Sequence, residues 1–262
     1  MNTDYKYLLV EHREQITTLW LNRPEVNNAF DEDMIGELLD FFENVSGQNS
    51  SRVIVIRGKG KHFSAGADLK WMNKAQNMTY EENYSGSYKL ARLFYTVYHC
   101  PHITIALVHG GCYGGGNGII AAADYVYATK SSGFVFSEAK LGLVAATIAP
   151  YIINKTGTSA SLDWMLSARK IDSEEAVRSG LINKAIDENE LESFLDTAVK
   201  TLLKNSKQSQ ITIKKLIKSM SLVVIDEEII KKTAEVTAKA RISQDAQSRI
   251  AAFFEDHYHP GK

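Results

Sequence analysis

The stretch GGCYGGGNGIIAAADYVYAT, Gly110 to Thr129, decides how this chain is read. Three consecutive glycines, Gly114 to Gly116, stand directly before an apolar run, and Gly118 follows close behind. A glycine inside a helix costs about 0.5–1 kcal/mol relative to alanine. So much backbone freedom at a helix mouth implies that something approaches the backbone closely. The spacing excludes the common phosphate cradles. GGCYGGG lacks the Lys-Ser/Thr of a P-loop, and it lacks the G-x-G-x-x-G spacing with a later acidic residue. Two roles remain open. The glycines present unpaired N–H groups at a helix start to an anionic oxygen, or they let a helix pack tightly on a strand.

A second glycine turn lies upstream, Phe63-Ser64-Ala65-Gly66-Ala67-Asp68-Leu69. It follows the apolar run VIVIRG, just as the triple glycine follows HITIALVHG. Short continuous apolar runs fit strands buried on both faces. One N–H from each turn would make an oxyanion hole.

Working outward, YLLVEH and ITTLWLN predict a hairpin around Arg13-Glu14-Gln15. DEDMIGELLDFFENV carries Met34, Ile35, Leu38, Leu39, Phe41 and Phe42 at helical spacing, with Asp31 or Asp33 as N-cap. Tyr80 to Tyr98 predicts a long aromatic-rich helix, and YVYATK and GFVFSE predict short strands. Recurring strand–turn–helix units argue for an α/β architecture. From about Pro150 the pattern turns helical, with Asp172 and Glu175 spaced as a capping box. An α/β core with a helical C-terminal region suggests an appendage that caps a site or mediates assembly.

Composition narrows the class. The 262 residues suffice for one large domain with its own core. Hydrophobic content of 44% and charged content of 23% are those of an ordinary soluble protein. A net charge of −1 gives no global field toward nucleic acid or an anionic membrane. Cys100 and Cys112, the two cysteines, read as buried and reduced. No apolar run approaches the roughly 20 residues of a membrane span. The N-terminus MNTDYKYLLVEHREQ has no apolar signal core, so a cytoplasmic location is expected. His62, His99, His102 and His109 show no zinc-ligand spacing.

FSAGADLKWM, GGCYGGGNGIIAAADYVYAT and FSEAKLGL occur in that order, and together they resemble the crotonase superfamily of enoyl-CoA hydratases and isomerases. LNRPEVNNAF is similar to that family's first substrate-contacting loop, and ISQDAQSRIAAFFE to its C-terminal helix. The resemblance implies an α/β fold, a crotonase-like spiral of β-β-α units with a helical C-terminal region. It implies a core over residues 1–199 for acyl-CoA binding and catalysis. It gives residues 200–262 to capping and trimerisation, as a homotrimer or dimer of trimers. An acyl-CoA thioester is the implied partner, with its carbonyl held between the N–H groups of Ala67 and Gly115. Bent CoA would lie near Ser64–Asp68 and the Asn27 loop, with Lys70 toward a phosphate. Asn27, Ser64, Ala65, Gly66, Asp68, Leu69, Lys70, Tyr113, Gly114, Gly118 and Leu143 are thus expected at the substrate. No metal or redox cofactor is implied. From the residues themselves, Asp68 also suits the N-cap of a helix starting near Leu69, and Tyr113 either lines the acyl pocket or packs. Lys214, Lys215 and Lys218 form either a solvated helix face or a contact for CoA phosphates.

The acid–base positions are uneven. Hydratases of this family typically carry two glutamates. Glu138 in FSEAKLGL matches one; Gly118 stands where the other would be. Partial burial after an apolar strand would raise the Glu138 pKa and suit it to proton transfer at Cα. One carboxylate suffices for double-bond isomerisation, whereas hydration normally asks one group to activate water and another to protonate carbon. Finer resemblance is to bacterial hydratases of the methylglutaconyl-CoA type in leucine breakdown, which tend to show glycine at this position. On that reading Gly118 opens space near the substrate Cβ for a branch. Hydration is the leading expectation. Δ3-Δ2 isomerisation, thioester hydrolysis and a non-catalytic acyl-CoA-binding role are the alternatives.

Overall fold

The computed structural model of the chain describes residues 5–45, 51–75, 77–220 and 226–257. The chain divides into two compact units, Met1–Asp196 and Thr197–Lys262.

The first unit is built on a six-stranded sheet. Strands β1 (Leu8–Arg13) and β2 (Ile16–Leu21) form the predicted hairpin, turning at Glu14 with φ 53°. Strand β3 (Val53–Gly58) lies parallel to β2, and β4 (Ile103–Val108) lies parallel to β3. The four residues Val53 to Ile56 are all buried, as their unbroken apolar run demands. Helix α1 (Glu32–Val45) begins at Asp31, whose carboxylate accepts the Met34 N–H at 2.9 Å. Its apolar stripe, Met34, Ile35, Leu38, Phe41 and Phe42, enters the core. Helix α2 (Leu69–Ala75) is short. Helix α3 (Tyr80–His99) starts with a full capping box between Thr79 and Glu82.

The spiral is visible in how the chain leaves the large sheet. After β4 it turns at Gly110 (φ 59°) into β5 (Gly111–Tyr113) and then into helix α4 (Gly115–Ala122). The next pass repeats this course. Strand β6 (Tyr125–Thr129) joins the large sheet beside β4, and β7 (Gly133–Val135) then pairs in parallel with β5. Helix α5 (Ala149–Ser167) closes this pass, broken at Gly157 with φ 73°. The pass through β3 is the same with a single residue in the second layer, where Ser64 bridges Cys112. The fold is therefore the expected crotonase spiral.

Two strands lie in the region read as helical. β8 (Ile171–Asp172) pairs antiparallel with β7, and helix α6 (Ser173–Arg178) follows it. β9 (Lys184–Ile186) adds the sixth strand, parallel to β6. Segments of two and three residues are too short to show a period. The capping box expected at Asp172 forms by half. Asp172 accepts the Glu175 N–H at 2.8 Å, but the Glu175 carboxylate turns to Arg169 and Trp164. Helix α7 (Leu191–Leu203) runs across the boundary between the units.

The second unit contains α8 (Lys207–Ser219), α9 (Glu227–Arg241) and α10 (Gln244–His257). Ile213, Ile217, Ile230 and Ile242 are exposed on it. Among the described residues no helix is long and apolar enough to cross a membrane.

Candidate active site

Register brings the expected site residues together. Ser64, Cys112 and Phe134 are neighbours across the second layer. Three residues on from Ser64 and Cys112 are Ala67 and Gly115; four on from Phe134 is Glu138. All three thus follow the carboxyl ends of adjacent parallel segments, where open α/β layers leave a crevice.

The first turn is held by polar contacts. Ser64 is 0% exposed; its Oγ donates to Asn28 O at 2.8 Å and accepts the Gly66 N–H at 3.1 Å. Ala65 N–H donates to Asn27 O at 2.8 Å. Asn28 was not singled out from the sequence, yet it organises this corner. Its Nδ2 donates to the carbonyls of Lys59 at 2.8 Å and His62 at 2.9 Å, and its Oδ1 accepts the Arg23 N–H. Consecutive left-handed residues, Asn27 (φ 53°) and Asn28 (φ 56°), make the pattern NN a usable signal, since asparagine tolerates that region.

Asp68 caps α2, accepting N–H groups from Lys70 at 2.8 Å and Trp71 at 3.2 Å. It also pairs with Arg23 at 3.1 Å, and Arg23 in turn pairs with Asp31 at 3.0 Å. Burial alone would raise the Asp68 carboxyl. The Trp71 and Lys70 amides and the Arg23 guanidinium outweigh burial and hold it below its ordinary value. The side chains of Ser64 and Asp68 are therefore buried and committed to the turn. What this stretch presents toward a crevice is its backbone. Leu69, Lys70 and Leu143 are exposed.

The second turn is held by shape. Gly114 takes φ 45° and ψ −116°, and its N–H donates to Val135 O at 3.1 Å. A Cβ on Gly114 would stand 3.3 Å from Glu138 Oε1 and 3.8 Å from Gly66 Cα. A Cβ on Gly66 would meet Tyr113 O at 3.0 Å and Gly114 N at 3.5 Å. The two turns are thus in backbone contact, with the Glu138 carboxylate beside them. The Tyr113 ring lies over Gly111, against His62, so it packs on its own strand.

Gly118 departs from expectation. A Cβ there would stand 2.5 Å from Ile148 Cγ2 and 2.6 Å from Phe94 Cε1. Gly118 opens no space for a substrate branch, because Phe94 and Ile148 already fill it.

Glu138 begins a short 3-10 turn after β7. Burial pushes its carboxyl above 4.5, and only its own backbone N–H pulls the other way. Its Oε2 is buried with no hydrogen-bond partner among the described residues. Among the described residues, Ala67 N–H and Gly115 N–H donate to no protein acceptor. Unpaired amides in a sheltered crevice can stabilise a developing oxyanion, and a partly desolvated carboxylate beside them can carry a proton. Among the described residues no cluster of His, Cys, Asp and Glu has the makings of a metal site.

A family model for enoyl-CoA hydratase/isomerase matches residues 11–259. The chain belongs to the enoyl-CoA hydratase/isomerase family. Its fold superposes on a solved enoyl-CoA hydratase from Shewanella pealeana with a TM-score of 0.94 and 33% identity, over 99% of this chain and 97% of that one. It is 36% identical to the enoyl-CoA hydratase ACTT6 of Alternaria alternata, over 66% of this chain and 56% of that protein. It is also 30% identical to the mitochondrial Δ(3,5)-Δ(2,4)-dienoyl-CoA isomerase of Mus musculus, over 68% of this chain and 58% of that protein. Both reactions of the family, adding water and moving double bonds, thus occur among its relatives.

Proposed function

We propose that this family member hydrates an enoyl-CoA thioester with Glu138 as its one acid–base group. The carrying observation is the half-buried Glu138 carboxylate beside Gly114 and Gly66, with Oε2 unpartnered. The thioester oxygen sits between the Ala67 and Gly115 amides. Glu138 takes a proton from water as the water oxygen bonds to Cβ, and the C=C electrons move onto the thioester oxygen as an enolate. The same carboxyl then delivers that proton to Cα. The sum is H–OH across C=C, with Glu138 returned to its starting state. A pKa raised by burial suits both halves of this cycle, since the group must accept and then release one proton.

The substrate is a branched, carboxylated enoyl-CoA of the methylglutaconyl type, a reading supported by the motif resemblance and by glycine at position 118. The branch is not housed at Gly118, where Phe94 and Ile148 stand. Residues 200–262 take the capping and trimer-forming role, supported by the exposed isoleucines of that unit.

A panel of crotonyl-CoA, 3-methylglutaconyl-CoA and a 3-enoyl-CoA tests the reading. The expected result is hydration of 3-methylglutaconyl-CoA with kcat/KM above that for crotonyl-CoA. Glu138→Gln should lower kcat by about 10²–10⁴-fold and retain CoA binding. A second reading, isomerisation, is favoured by the solitary Glu138, on whose carboxyl no second carboxylate acts among the described residues. Conjugation of the 3-enoyl-CoA without hydration of any substrate would put it first.

A further inference from the structure

Asn117 lies in the first turn of α4, directly before Gly118, and is 0% exposed. Its Nδ2 donates to Val135 O at 2.8 Å. The same carbonyl accepts the Gly114 N–H at 3.1 Å. Val135 ends β7, and Glu138 follows three residues later. One backbone oxygen therefore receives two donors from the glycine turn, one from backbone and one from a side chain. A single hydrogen bond fixes a distance. Two donors from one helix end also fix how the segment leading to Glu138 is turned toward that helix.

The amide is not explained by packing. Asn117 Oδ1 is buried without a hydrogen-bond partner among the described residues. Burying an acceptor in that way is unfavourable, and leucine would fill a similar volume without it. A residue that lowers stability in the wall of a site is a candidate for a role in that site.

We propose that Asn117 is a positioning residue: acting through the Val135 carbonyl, it holds the Glu138 carboxylate at a fixed distance from the Gly115 N–H. The proposal rests on the reading of Glu138 as the acid–base group. Asn117 touches no reacting atom. It sets the geometry of one that does, and misplacement by about 1 Å can cost on the order of a hundredfold in rate.

Two variants test it. Asn117→Leu removes the donor and the buried acceptor together; Asn117→Asp keeps the shape and sets a carboxylate oxygen against the Val135 carbonyl. For both, kcat is expected to fall about 10–100-fold, with KM within about twofold of the parent and a displaced acid limb in the pH profile of kcat. Asn117→Leu should melt no lower than the parent, a combination that loss of structure alone does not produce. The proposal is overturned if Asn117→Leu keeps kcat within about twofold, or if kcat and melting temperature fall together. If Asn117→Leu does not fold, the kcat/KM split in Asn117→Asp decides, and insolubility of both makes Asn117 structural and ends the proposal. Glu138→Gln, assayed alongside, separates the two claims. If it retains turnover, the reading of Glu138 fails, whatever Asn117 does.

Discussion

The two glycine turns sit in contact and end alike, in an amide that donates to no acceptor among the described residues, yet they are built by different physics. The first is tied by charge and hydrogen bonds: Ser64 Oγ, the Asn28 amide, and the Arg23–Asp68 pair. The second has neutral amide donors to the Val135 carbonyl and no ion pair among the described residues, and is otherwise tied by volume: Gly116 against Ser64 and Cys112, and Gly118 against Ile148 and Phe94. A polar scaffold responds to pH and to isosteric changes of charge. A steric one responds to added carbon and is indifferent to protons. Each turn should therefore fail under its own perturbation.

The largest effect is expected at Gly118→Glu. The first added carbon would stand 2.5 Å from Ile148 and 2.6 Å from Phe94, before any carboxylate is placed. Overpacking costs about 1–3 kcal/mol, and an unpaired buried charge adds to it. Thermal unfolding should show a loss of about 4 kcal/mol or more, or no soluble protein at all. A well-folded Gly118→Glu enzyme with faster hydration would mean that volume does not set the second turn.

Asp68→Asn probes the first turn at nearly constant volume. It weakens the α2 cap and takes one of two carboxylates from Arg23, for an expected loss of about 2 kcal/mol. Because the folded Asp68 carboxyl is held below its ordinary 3.8, its stabilising effect is complete above that value. That effect disappears as pH falls through the lower folded value. Denaturant titrations of both proteins from pH 7 downward should therefore converge in acid. Curves that stay parallel would deny the first turn its electrostatic character.

The smallest effect concerns Glu138. Burial lifts its carboxyl above 4.5, so above that pH the folded chain holds a proton that the unfolded chain has released. Stability then falls as pH rises through the window between the unfolded and folded values, and the ionised group is a net cost at pH 7. Glu138→Gln should raise unfolding free energy at pH 7 by about 0.5 kcal/mol, while turnover is lost. A destabilised Glu138→Gln would mean that the carboxylate has partners beyond its own backbone N–H.

The contrast also explains what could be read in advance. Apolar runs such as residues 53–56 and the stripe of α1 announce their elements, because period and burial are the same fact seen twice. The two glycine turns and Glu138 were legible through their order along the chain. What could not be read depends on register. That Ser64 faces inward under Gly116, or that Asn117 meets the carbonyl also bound by Gly114, follows from the pairing of strands far apart in sequence. Gly118 shows the limit most plainly. A missing side chain reads as empty room, but room belongs to neighbours, and Phe94 of α3 and Ile148 at the N-cap of α5 are brought there by the fold. β8 and β9 were missed for a simpler reason, being shorter than any period.

Phe94 and Ile148 also bear on how such an enzyme can change over generations. A lineage that restored a carboxylate at position 118 would first have to shrink both neighbours, and each shrinkage taken alone leaves a void beside a glycine. The reverse path, from an ancestor with a glutamate there, meets the same barrier once the neighbours have grown. With one carboxylate or two, the choice is held in place by three residues that must change together, so drift by single substitutions is confined to the side of the divide on which the chain already stands.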